Sequence, residues 1–134
     1  MSDDPYSALK TRIDAVEEAY EYMLAYAGQG RERDDDGAPG ERVSVYLEKA
    51  AEAVSGIASA AADCLGGAAD QTWKSYLEIF AVDAGRALGV IRLVLAQEAI
   101  SSALIDNLNA SIHLRTLLTD LFLIDEILKS RQKR

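Results

Sequence analysis

DPYSALKTRIDAVEEAYEYMLAYAG, from Asp4 to Gly28, is the stretch that decides the fold class. Its apolar side chains Tyr6, Leu9, Ile13, Val16, Tyr20, Met23 and Ala27 follow one another in steps of three and four, the seam of a helix that packs against other helices. Asp4 can accept a backbone N–H left free at the helix start. Pro5, in the first helical position, gives up no donor the helix needs. Gly28 and Gly30 close the segment.

Three more seams follow. Val43, Leu47, Ala50, Val54, Ile57, Ala61 and Cys64 define a second helix with a small-residue face, stopped by Gly66-Gly67. Trp73, Leu77, Phe80, Ala84, Ala87, Ile91 and Val94 define a third, with Asp70 as its cap and the bulkiest side chains of the chain. Leu114, Leu117, Leu121, Ile124 and Leu128 define the last. The turn between the third and fourth falls either at Ser101-Ser102 or at the polar cluster Asp106, Asn107, Asn109, Ser111. The serines are preferred because matched helix lengths let all four share one core. The expectation is therefore an all-α, single-domain, up-and-down bundle of about four long amphipathic helices, over roughly 5–28, 41–65, 69–98 and 102–131. The stretch RERDDDGAPG, 31–40, combines charge with Gly and Pro and reads as a mobile acidic loop. No internal repeat of fixed period is visible.

With 134 residues, 49% of them hydrophobic and 27% charged, the composition is that of one globular domain. The 22 acidic against 14 basic residues give a net charge of −8, so the average field repels nucleic acid and anionic membrane surfaces. The cations Lys129, Arg131, Lys133 and Arg134 close the last helix, where they oppose the negative end of its dipole. The most apolar stretch, Ile79 to Ala96, is interrupted by Asp83, Arg86 and Arg92, so no membrane span is expected. MSDDPYSALK has neither a basic leader nor an apolar run, and the single cysteine forms no internal disulfide; both suit a cytoplasmic protein.

No chemistry-bearing motif survives comparison with its plain structural explanation. Carboxylate-bridged metal sites in bundles need Glu-x-x-His pairs, and there are none; Glu17, Glu21, Glu48, Glu52 and Glu78 fall beside or opposite the seams, where water solvates them. Glu32, Asp34, Asp36 and Gly37 begin a calcium-loop pattern, but its twelfth position is Val43 where a bidentate glutamate belongs. His113 shares its stripe with Thr116 and Asp120 and has no second imidazole or thiol nearby in sequence; Cys64 sits on a seam as a small hydrophobe. No cofactor and no metal are expected. The ionisable groups nearest apolar stripes are Asp83, Arg86, Arg92 and His113, the residues an enzyme would have to draw on.

Two features invite a functional reading. Ala81, Gly85 and Gly89 form a row of small residues beside the third seam. They would admit a close helix crossing or, with Tyr20 and Trp73, a slot for a small apolar or aromatic ligand. In LLTDLFLIDEIL, 117–128, the side chains Leu118, Phe122, Leu123 and Ile127 are left over once the seam is buried, and one helix face cannot cover them all. The leading expectation is thus a non-catalytic protein that works through protein contacts as a regulator, adaptor or accessory subunit. It would be a homodimer joined through that surplus, with a further protein partner possible.

Overall fold

The computed structural model describes residues 4–36, 41–64 and 71–132, and among these every regular element is a helix. There are six: α1 (Pro5–Ala27), α2 (Val43–Ser55), α3 (Ile57–Asp63), α4 (Gln71–Leu95), α5 (Ser102–Asn109) and α6 (Ile112–Gln132). The expected four long helices are corrected to six because the second and fourth are each broken once. The Gly66-Gly67 stop, the Asp70 cap, residues 37–40 of the acidic loop, and Lys133 with Arg134 lie outside the described residues.

Three of the starts, those of α1, α5 and α6, are capped by a side chain directly before the helix. Asp4 caps α1 by accepting from the Ser7 N–H at 3.3 Å, with Pro5 in the first turn. The break between α2 and α3 falls at Gly56, whose backbone (φ −118°, ψ 10°) leaves the helical region. Arg12 of α1 fills the gap, donating from Nη1 to the carbonyl oxygens of Glu52 and Ala53 at 3.0 and 2.9 Å. Both candidate turn sites before the last helix are used, each with a serine cap. Ser101 Oγ accepts from the Leu104 N–H at 3.0 Å to start α5, and Ser111 Oγ accepts from the His113 N–H at 3.2 Å to start α6.

The segment read as a mobile loop is tied down from Arg31 to Asp36. Ser102 and Arg31 exchange two hydrogen bonds, Arg31 pairs with Asp36 at 2.7 Å, and Asp34 is only 5% exposed. The Asp34 carboxylate accepts from the Ser44 N–H at 3.2 Å, so it caps α2, which has no side-chain cap of its own. Burial, its largest influence, pushes the Asp34 carboxyl up. The hydrogen bonds from Ser44 and Arg42 together outweigh that and hold it below its ordinary value.

α1 packs against α2, α3 and α5, while α4 packs against α2 and α6. The core is made of the seam residues: Leu9, Ile13, Val16 and Met23 from α1; Val43, Leu47, Ala50, Val54, Ile57 and Ala61 from α2 and α3; Phe80, Ala84, Ala87, Ile91 and Val94 from α4; and Leu114, Leu117, Leu121, Ile124 and Leu128 from α6. Tyr26 joins them, with no exposure, because its hydroxyl donates to the Ile100 carbonyl while its own carbonyl accepts from Ser102. Tyr6, Ala27, Cys64, Trp73 and Leu77 sit only half-buried at the ends of their seams, and Tyr20 is half-buried in the middle of its own.

Candidate interaction face and polar cluster

α6 runs antiparallel to α4: Trp73 and Tyr76, early in α4, meet Ile127 and Asp120, whereas Asp83 and Arg86 meet His113 near the start of α6. Among the described residues α6 has few neighbours on its other sides, yet it is apolar around much of its circumference. Leu118, expected among the surplus, is buried in the chain's own core. The remaining three are exposed, Phe122 by 57%, Leu123 by 50% and Ile127 by 38%, and Ile112 joins them at 72%.

Two depressions flank the helix. On the α4 side Thr72, Trp73, Tyr76, Leu123 and Ile127 line a slot of about 170 Å³, with the Arg131 guanidinium 5.9 Å from the Trp73 ring centre. On the α1 side Glu17, Tyr20, Glu21, Leu118 and Phe122 line a second of about 240 Å³. Tyr20 and Trp73 therefore belong to different depressions. Gly85 and Gly89 belong to neither: both are exposed, with nothing within 4 Å of where a Cβ would stand, and among the described residues no helix crosses α4 at that row. Ile79, Val82 and Leu93 are exposed on the outward side of the same helix.

Between α4 and α6 lies a polar cluster that only the fold assembles. The Tyr76 hydroxyl donates to Asp120 Oδ1 at 2.8 Å, and Asp120 is 8% exposed, its Oδ2 buried without a donor. Burial first, and then the neighbouring Asp83 carboxyl, push the Asp120 carboxyl up to about 6; the Tyr76 hydroxyl acts against them by favouring the charged form. Tyr76 is itself pushed upward, mainly by burial. Asp83 also lines an adjoining cavity of about 140 Å³ with Arg86, Ile112, His113 and Thr116.

Three of the four ionisable residues singled out from sequence are thus brought to one cavity, while Arg92 lies in a separate groove beside Glu48 and Glu52 of α2. Cys64, at the end of α3, takes no part, and burial raises its thiol further from the reactive thiolate. The sequence reading missed Asp120 and Tyr76. The available signal was Asp120 itself, a carboxylate directly before the seam residue Leu121 on a helix side where α4 leaves it no water.

Among the described residues no group of three His, Cys, Asp or Glu side chains is arranged to hold a metal, and no helix is long and apolar enough to cross a membrane. No family model matches the chain, and neither a curated protein nor a solved structure matches it.

Proposed function

We propose that the chain is a non-catalytic helical protein that acts through protein contacts, as a small regulator, adaptor or accessory subunit, and that it does so as a homodimer. The α2–α3 and α5–α6 pairs each stand for one kinked member of a four-membered up-and-down bundle. The supporting observation is α6: it buries six leucine and isoleucine side chains and still presents Ile112, Phe122, Leu123 and Ile127 to solvent. An apolar helix side of this kind, next to the Trp73 slot, is what a partner surface desolvates. Replacing Phe122 or Leu123 by Asp tests the proposal. The chain should stay folded, judged by its helical circular dichroism, and lose its ability to self-associate; unchanged association in both variants would oppose it.

The slot lined by Trp73, Tyr76, Leu123 and Ile127 favours a second reading, in which it takes a small apolar or aromatic ligand. Trp73 is the only tryptophan. Its fluorescence should then change on titration with a small aromatic such as indole, and a flat titration would remove that reading.

A further inference from the structure

α6 carries two seams. The first, through Leu114, Leu117, Leu121, Ile124 and Leu128, is buried in the chain's own core. The second runs through Ile112, Arg115, Thr119, Phe122 and Glu126, again in steps of three and four, and all five side chains are exposed. Only Ile112 and Phe122 on this line are apolar, so a helix laid along it is held at those two side chains and directed by the charges between and beyond them.

The charges along this outer seam set the direction of pairing. Arg115 stands near one end and Glu126 near the other, about 16 Å apart along the axis at 1.5 Å per residue. Among the described residues neither takes part in an ion pair; the cations of the same helix that do interact are Lys129, held by Asp125 at 3.2 Å, and Arg131, over Trp73. Parallel alignment in register would set Arg115 against Arg115 and Glu126 against Glu126. Antiparallel alignment sets each against the opposite charge, and it does so twice.

We infer that α6 pairs antiparallel with α6 of a second copy of this chain, about a two-fold axis level with Asp120 and Leu121, so that Arg115 of each copy faces Glu126 of the other. This rests on the homodimer reading above and adds its register. At that register Thr119 faces Phe122, which places the aromatic rings and threonine methyls at the centre, with Leu123 beside them. Ile112 then faces Lys129, whose methylene stem covers it while its ammonium stays on Asp125.

Two copies of a chain with a net charge of −8 repel each other, so a self-contact needs a face that is locally neutral and complementary. This seam is such a face, with Arg115 and Glu126 of opposite sign and Lys129 already paired with Asp125. The exposed apolar side of α4 is less suited. Antiparallel pairing that matches Ile79 with Leu93 centres on residue 86 and sets Arg86 against Arg86.

The test is a charge exchange. Arg115→Glu and Glu126→Arg are each expected to raise the dimer dissociation constant about tenfold or more, by setting like charges opposite one another at both pairs. The double variant carrying both changes should return it to within about threefold of the unaltered chain, because each pair is then reversed but complementary. Arg115→Gln, which removes the charge without inverting it, should fall between. The unaltered chain and the four variants are followed by sedimentation equilibrium, with circular dichroism confirming unchanged helix content. If the unaltered chain dimerises but the single reversals leave its dissociation constant alone, or the double variant fails to recover, the register is wrong while the homodimer reading stands. An unaltered chain that stays monomeric at micromolar concentration overturns both.

Discussion

The guanidinium of Arg12 lies so close against Gly56 that a Cβ at position 56 would stand 2.8 Å from its Nη2 and 2.9 Å from its Cζ. α1 thereby reaches across to the break between α2 and α3 and donates to two carbonyls in the last turn of α2. Gly56→Ala forces Arg12 away and should destabilise the chain by about 1 kcal/mol, since the lost charge-assisted bonds exceed the helix propensity that alanine gains. In an Arg12→Ala background the clash is gone, and the same change should stabilise by about 0.5–1 kcal/mol. Urea unfolding of the four chains in this cycle measures the reversal of sign; additive effects would contradict it.

Asp120 gives stability an unusual pH dependence. Its folded-state value, about 6, lies above the ordinary 3.8, so the proton is held more tightly in the folded chain. The associated stability is complete below pH 3.8 and is lost as pH rises through about 6. The two-unit difference corresponds to roughly 2–3 kcal/mol. Asp120→Asn, which keeps an acceptor for Tyr76 and carries no charge, should remove this loss and be more stable than the unaltered chain at pH 7.5, with little advantage at pH 4.5. Denaturant midpoints at the two pH values decide it.

Asp34 works in the opposite sense. Its carboxyl is held below its ordinary value, so its contribution is present above pH 3.8 and is lost as pH falls through the lower folded value. Asp34→Ala removes the α2 cap and the Arg42 pair together and should cost about 1–2 kcal/mol at neutral pH. The deficit should shrink as pH falls from 3.8 through the lower folded value, where the unaltered chain loses the same interactions; thermal unfolding across that range reads it.

Helix faces were legible in the sequence because burial follows the 3.6-residue period. The second seam holds its phase even across the break, since Val54 and Ile57 are three apart on either side of Gly56. The break itself was not legible: Gly56 sits in an alanine-rich stretch that favours helix, and Arg12, which stabilises the gap, is remote in sequence. Nor was the Asp34 cap, because a loop carboxylate reaching a helix start has no local spacing to betray it. Gly85 and Gly89 show a different failure. Small-residue spacing permits a close approach but carries too little hydrophobicity to say which way it faces, and in α4 it faces solvent. On α6 the surplus could be counted, but whether Leu118 or Phe122 would be covered depended on the position of α1.

Self-association through α6 is read from the mass of the unaltered chain in solution. Light scattering across a dilution series should give twice the single-chain mass at micromolar concentration and above, falling toward the single-chain mass only on further dilution. A single-chain mass throughout that series would contradict the account.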